Sequence, residues 1–118
     1  LSLARDSPAN QAAMRAAGAC EPVVKVLRAA IAKGRLTLCL LGCDAVRALA
    51  AEGSATQTEL QVFGACEAVM AGLLAFHRHA VVWQRAGGAI AALAHHHGEC
   101  QAALGRAGAC GAAMEGLR

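Results

Sequence analysis

Residues 62–73 read VFGACEAVMAGL, and the same plan stands at 16–27 (AAGACEPVVKVL) and 106–117 (RAGACGAAMEGL). A Gly-Ala-Cys triplet begins at Gly18, at Gly64 and at Gly108, with separations of 46 and 44 residues. Each triplet opens an apolar run with helical spacing. Self-similarity at a period of this length marks a helical repeat, in which one unit recurs and neighbouring units share a continuous core.

More than the triplet recurs. LCLLGCDAVRALA (38–50) falls on VWQRAGGAIAALA (82–94) without a gap. Gly42, Ala45 and Ala48 match Ala86, Ala89 and Ala92, and Val46 and Leu49 match Ile90 and Leu93. Upstream of the triplets, SPANQAAMRAAGAC, TQTELQVFGAC and GECQAALGRAGAC share a polar start, a short helical stretch and a glycine. Each unit therefore divides into three predicted helices. The short first ones cover about 9–17, 56–63 and 99–107; the second ones about 21–33, 66–78 and 110–118; the long third ones about 36–51 and 80–97. The repeat boundaries are a partial repeat 1–17, repeats 18–63 and 64–107, and a partial repeat 108–118. Gly18, Gly64 and Gly108 stand at predicted corners between first and second helices, where a positive φ suits glycine. Pro22 is expected in the first turn of a second helix. Ser54 and Thr56 are expected N-caps. Two and a half units without polar caps are expected to be a slice of a longer array.

Composition supports an all-α chain. It has 118 residues, 57% hydrophobic but 3% aromatic, and 31 are alanine. Alanine, leucine and arginine favour helix, while β-formers are scarce. No stretch approaches the ~20 apolar residues of a membrane span; Asp44 and Arg47 break the most apolar one. The opening LSLARDSPAN lacks the plan of a signal peptide. The 11 basic residues are scattered and the net charge is +3. Without tyrosine and nearly without other aromatics, no nucleic-acid stacking platform is expected. Cys20, Cys66 and Cys110 occupy one position of the unit. Stacked helices lie about 8–10 Å apart, too far for the ~7 Å limit of a disulfide between Cα atoms. Free, buried thiols in a reducing, intracellular setting are therefore expected.

The pattern G-A-C-x-x-V-x-x-x-L, a turn, then V-x-x-x-A-x-x-A-[IV]-x-x-L-A resembles armadillo repeats over nearly the whole chain. The resemblance implies a right-handed α-solenoid of three-helix units, whose third helices line a concave groove for protein partners. Importin-alpha-like repeats carry a Trp and an Asn four residues apart on that helix. Here those positions hold Asp44 and Ala48, then Gly88 and Ala92, and Trp83 lies five residues early. The ladder for nuclear-localisation peptides is thus missing, so a nuclear-transport adaptor is disfavoured. The chain is also similar, more loosely, to divergent armadillo repeats of leucine-rich-repeat kinases and of ciliary proteins. A cytoplasmic setting within a ciliary or cytoskeletal complex is the expected context.

The candidate binding groove comprises Asp44, Arg47, Gln84, Arg85, Gly88, Ala92 and His95. Asp44 with Glu52, and Arg47 with Arg85, are expected to set its charge preference. Small residues at the ladder positions suit a helix or a broad protein surface. His95, His96 and His97, with Cys100 nearby and His77 and His79 at the preceding corner, offer zinc-type ligands. Consecutive helical residues point about 100° apart, however, so the three histidines cannot face one ion while the helix persists. Cys39 and Cys43 share a helix face and read as small core residues rather than a redox pair. Gly87-Gly88 lies inside a helix with no preceding strand, so it is no dinucleotide fingerprint; close helix packing is its expected cause. No catalytic constellation, cofactor or metal is expected. The reading is a non-catalytic scaffold that binds proteins; the alternative is the regulatory arm of a larger enzyme, such as a kinase or ubiquitin ligase. A metal- or redox-sensing domain ranks below both.

Overall fold

The computed structural model describes the backbone of residues 8–116 and the side chains of residues 18–108. It is all-α, with six helices and no strand among the described residues: α1 (Pro8–Ala32), α2 (Leu36–Ala50), α3 (Ser54–Val62), α4 (Ala65–Ala75), α5 (Ala80–Ala94) and α6 (Gly98–Gly116). The run α3–α4–α5 has the short, middle and long helices that the spacing predicts. Helix α2 lies against its sequence equivalent α5, and α1 lies against α4. The core between them is built from small and branched residues: Leu27, Val46, Leu60, Val69, Val82 and Leu93, interleaved with alanines and buried cysteines. Small side chains permit the close approach. A Cβ on Gly42 would stand 3.1 Å from Leu27, and one on Gly72 would stand 3.0 Å from the Cys39 sulfur. No single described helix is long and apolar enough to cross a membrane.

The expected corner forms at Gly64. Its φ is +87°, and α3 and α4 meet there at 69°. The guanidinium of Arg28, from α1, donates to the Gly64 carbonyl at 3.3 Å. At Gly18 and Gly108 the expectation fails: α1 and α6 run straight through them. Nothing lies within 4 Å of a Cβ built on Gly18. At Gly108 the residue equivalent to Arg28 is Leu74, which has no donor to offer. The Met70 methyl lies 3.2 Å from where a Gly108 Cβ would begin, but it offers no donor in the place of Arg28, and the alanine-rich chain continues as helix. Pro22 is consequently inside α1 rather than in a first turn. Its ring and missing N–H face the carbonyl of residue i−4, which is Gly18, exposed to solvent and lacking a Cβ.

Ser54 is the first residue of α3, and Gly53 is its N-cap at φ 144°, ψ −176°, a region reserved for glycine. Thr56, an expected N-cap, is instead buried inside α3 at 2% exposure. Helix α5 ends at Ala94, short of the predicted 97. His95 is extended, and His96 takes φ +52°.

Close packing accounts for only one of the paired glycines. Gly88 sits against the Arg47 stem, at 3.3 Å from Cδ, whereas Gly87 is exposed with nothing within 4 Å. Gly87→Ala should therefore stabilise the chain by up to about 1 kcal/mol through helix propensity. Gly64→Ala should cost about 2 kcal/mol, because a side chain at positive φ is strained and its Cβ would meet the Arg28 guanidinium. Chemical denaturation of the two variants side by side checks the opposite signs.

Candidate functional site

Helices α2 and α5 present their equivalent faces to one open groove, closed at one end by the start of α3. Its larger part, about 580 Å³, is lined by Arg47, Gly53, Ser54, Gln57, Gly88, Ala92, His95 and His96. A second part, about 530 Å³, adjoins it through Arg47 and Ala51 and is lined by Asp44, Ala48 and Arg85. Asp44, Arg47, Arg85, Gly88, Ala92 and His95 of the expected set thus come together. Gln84 is exposed on α5 but lines neither part.

The charges pair differently from the expectation. The Arg85 guanidinium donates to the Asp44 carboxylate across the α2–α5 seam. Two residues 41 apart in sequence so neutralise each other, and Glu52 lines neither part of the groove. Arg47 is left without a carboxylate in ion-pair range among the described residues. In the larger part of the groove Arg47 stands among Ala50, Ala51, Gly88, Ala91 and Ala92; in the smaller part it adjoins the Asp44–Arg85 pair.

Gln57, absent from the sequence-derived set, anchors one end. It is 4% exposed. Its amide nitrogen lies 2.9, 3.2 and 2.8 Å from the carbonyls of Ala92, Leu93 and His95. These belong to the end of α5, where helical carbonyls lack N–H partners. Two amide hydrogens are shared among three oxygens. Gln101 donates to the Ala94 carbonyl at 2.8 Å and covers the neighbouring one. The signal was present in the sequence: Gln11, Gln57 and Gln101 each stand seven residues before the repeat glycine. The Gln11 side chain lies outside the described residues.

The histidines divide into two separate groups. His77 and His79 precede α5, and His95, His96 and His97 follow it. Fifteen helical residues set them about 22 Å apart. His97 is 8% exposed and serves as the N-cap of α6: the Cys100 backbone N–H donates to its Nδ1 at 3.1 Å. Nδ1 therefore carries no proton, and Nε2–H donates to Thr58 Oγ1 at 2.8 Å. Thr58 in turn donates to the Ser54 carbonyl at 2.9 Å. His97 is thereby committed to holding α6 on α3. His95 and His96 are exposed, with ring centroids 4.2 Å apart. No three His, Cys, Asp or Glu side chains gather in a metal-binding group among the described residues.

The cysteines are packing elements. Cys39, Cys43, Cys66 and Cys100 are buried free thiols. Cys39 hydrogen-bonds Cys43, and Cys66 hydrogen-bonds Cys100. Cys20 is also fully buried; the Cys110 side chain lies outside the described residues. Burial, and then the neighbouring thiol, pushes Cys43 and Cys66 each up to about 12. An unfolded thiol titrates near 8.5, so the folded state holds these protons more tightly. The stabilisation is complete below that pH and is lost as pH rises toward 12. Stability should therefore be level near neutrality and fall from about pH 9 upward, with a shallower fall in Cys43→Ala. Native thiols should resist alkylation at pH 8 and react fully in denaturant. Denaturation series at stepped pH, with thiol titration, check both.

Fold and site together define an all-α protein in which two equivalent helices share one groove. No family model, curated protein or solved structure matches this chain.

Proposed function

We propose that the chain is an armadillo-type solenoid segment acting as a non-catalytic protein-interaction scaffold, with the α2–α5 groove as its binding face. The register of α2 on α5 supports the solenoid reading, since sequence-equivalent helices lie side by side. The observation that carries the binding reading is Arg47, a cation on a floor of small residues with no carboxylate in ion-pair range among the described residues. An open floor accepts a helix or an extended segment, and Arg47 selects one bearing a carboxylate. A basic peptide is poorly served, because the Asp44 charge is already matched by Arg85. The buried free thiols suit a reducing, intracellular setting.

Parallel affinity captures from the native cells, with the wild-type chain and with Arg47→Glu, test the reading. Arg47 is exposed, so the variant keeps its helicity by circular dichroism. Groove ligands are proteins retained by the wild type and weakened by about tenfold or more in the variant. Identical sets in both captures would remove the groove as the binding face.

A further inference from the structure

The α1–α2 surface facing away from α4 and α5 is apolar and open. Pro22, Val23, Val26, Leu38, Leu41 and Ala45 line a depression of about 270 Å³ there. Val26 is 48% exposed and Leu41 is 57% exposed. By the repeat register these six residues correspond to Ala68, Val69, Gly72, Val82, Arg85 and Ala89 of the next unit. All of those except Arg85 are buried, and the set forms the side of α4 and α5 that seats on α1 and α2. The exposed apolar face is thus a second copy of a surface that this fold already uses as a seam.

The complementary half is also present and open. Within the seam, α1 and α2 contribute Arg28, Ile31, Cys39 and Arg47, against Gly64, Gly72 and Gly88. Their equivalents on α4, α5 and the intervening turn are Leu74, His77, Trp83 and Ala91. Trp83 is 55% exposed where its counterpart Cys39 is 0% exposed. His77 and Ala91 are exposed as well. Trp83 is held in place by its Nε1–H, which donates to the His77 carbonyl at 2.6 Å. Because α6 runs straight through Gly108, it does not take the turned path that α4 follows after Gly64.

We propose that two copies of this chain associate head to tail, the α1–α2 face of one seating on the α4–α5 face of the next in the register of the internal seam. The first half of α6 then supplies the short helix of a composite unit, and α1 and α2 of the next copy supply the other two. Residue matching supports the fit. Trp83 and His77 meet Val26, as Cys39 and Ile31 meet Gly72. At the register positions of the Asp44–Arg85 ion pair of the internal seam stand Gly88 and Leu41. The large exposed side chains Trp83, Val26 and Leu41 are covered in one step. The contact joins unlike faces, so each added copy leaves one free face at either end of the row.

Sedimentation equilibrium of the wild-type chain, from about 1 μM to about 1 mM, should show an open series of oligomers. Leu41→Glu and Trp83→Glu alter exposed positions on opposite faces, and circular dichroism confirms that each stays folded. Each variant alone should remain monomeric. Mixed together they should form a 1:1 dimer and nothing larger, because one intact pair of faces remains. A wild-type chain that is monomeric throughout, or a Trp83→Glu variant that self-associates alone through its α1–α2 face, would overturn the proposal. Loss of partner capture by Arg47→Glu would leave it untouched, since the associating face carries Ala91 at the position equivalent to Arg47.

Discussion

Gln57→Ala should lower the free energy of unfolding by about 3 kcal/mol, an unusually large effect for a polar side chain. Gln57 is 4% exposed, and its amide is the donor for carbonyls of Ala92, Leu93 and His95. Deleting it leaves those oxygens short of donors, the Leu93 one buried and the Ala92 and His95 ones part-buried, and each unmet buried group costs about 1–3 kcal/mol. The end of α5 should fray first, drawing with it His97 and the start of α6. In a domain of this size the loss corresponds to roughly 15 °C in melting temperature. Gln57→Glu separates shape from chemistry. It preserves the volume but places acceptor oxygens against acceptors, so it should do no better than alanine at neutral pH. Gln101→Ala, at an exposed position with one such bond, should cost well under 1 kcal/mol. Urea denaturation of the three variants decides; near-equal costs for Gln57→Ala and Gln101→Ala would show that burial of the amide is unimportant.

Leu27→Ala should cost about 3–4 kcal/mol. Leu27 is fully buried, and its Cβ and Cδ1 both lie 3.1 Å from where a Gly42 side chain would begin. The α1–α2 contact is therefore tight, and collapse into the vacated space is limited by the helix backbones. Gly42→Ala tests the same contact from the opposite side. Helix propensity favours the alanine by about 1 kcal/mol. The added methyl, however, meets the Leu27 Cα at 3.4 Å as well as its side chain. Backbone cannot swing aside, and overpacking costs about 1–3 kcal/mol, so the net change should be destabilising. Val26→Ala, next to Leu27 but half-exposed, should change stability by less than about 1 kcal/mol. Equal losses at Val26 and Leu27 would show that α1 faces the core differently.

Periodicity carried most of the helices, because apolar spacing within a segment reports which face of that segment will be buried. The match of 38–50 to 82–94 places α2 and α5 from sequence alone. The shared place of Cys20, Cys66 and Cys110 in the unit likewise pointed to thiols that pack rather than pair. These readings rest on residues close in sequence, where propensity and spacing act.

Other features depended on neighbours that only the fold supplies. Gly18, Gly64 and Gly108 look alike in the chain, yet the bend forms at Gly64, where Arg28 reaches across from α1. Gln57 was visible as a recurring residue, but that its amide caps α5 could not be read from spacing. Asp44 and Arg85 were expected to shape the groove's charge separately; the seam between α2 and α5 joins them and leaves Arg47 as the groove's uncompensated cation among the described residues. The sequence by itself determined an alanine-rich helical chain with one recurring unit, because helix formation is governed by local propensity and apolar period. Which glycine bends, which carbonyls are capped and which charge remains available were decided by tertiary structure, because each depends on a donor or ion brought from about 40 residues away in the chain.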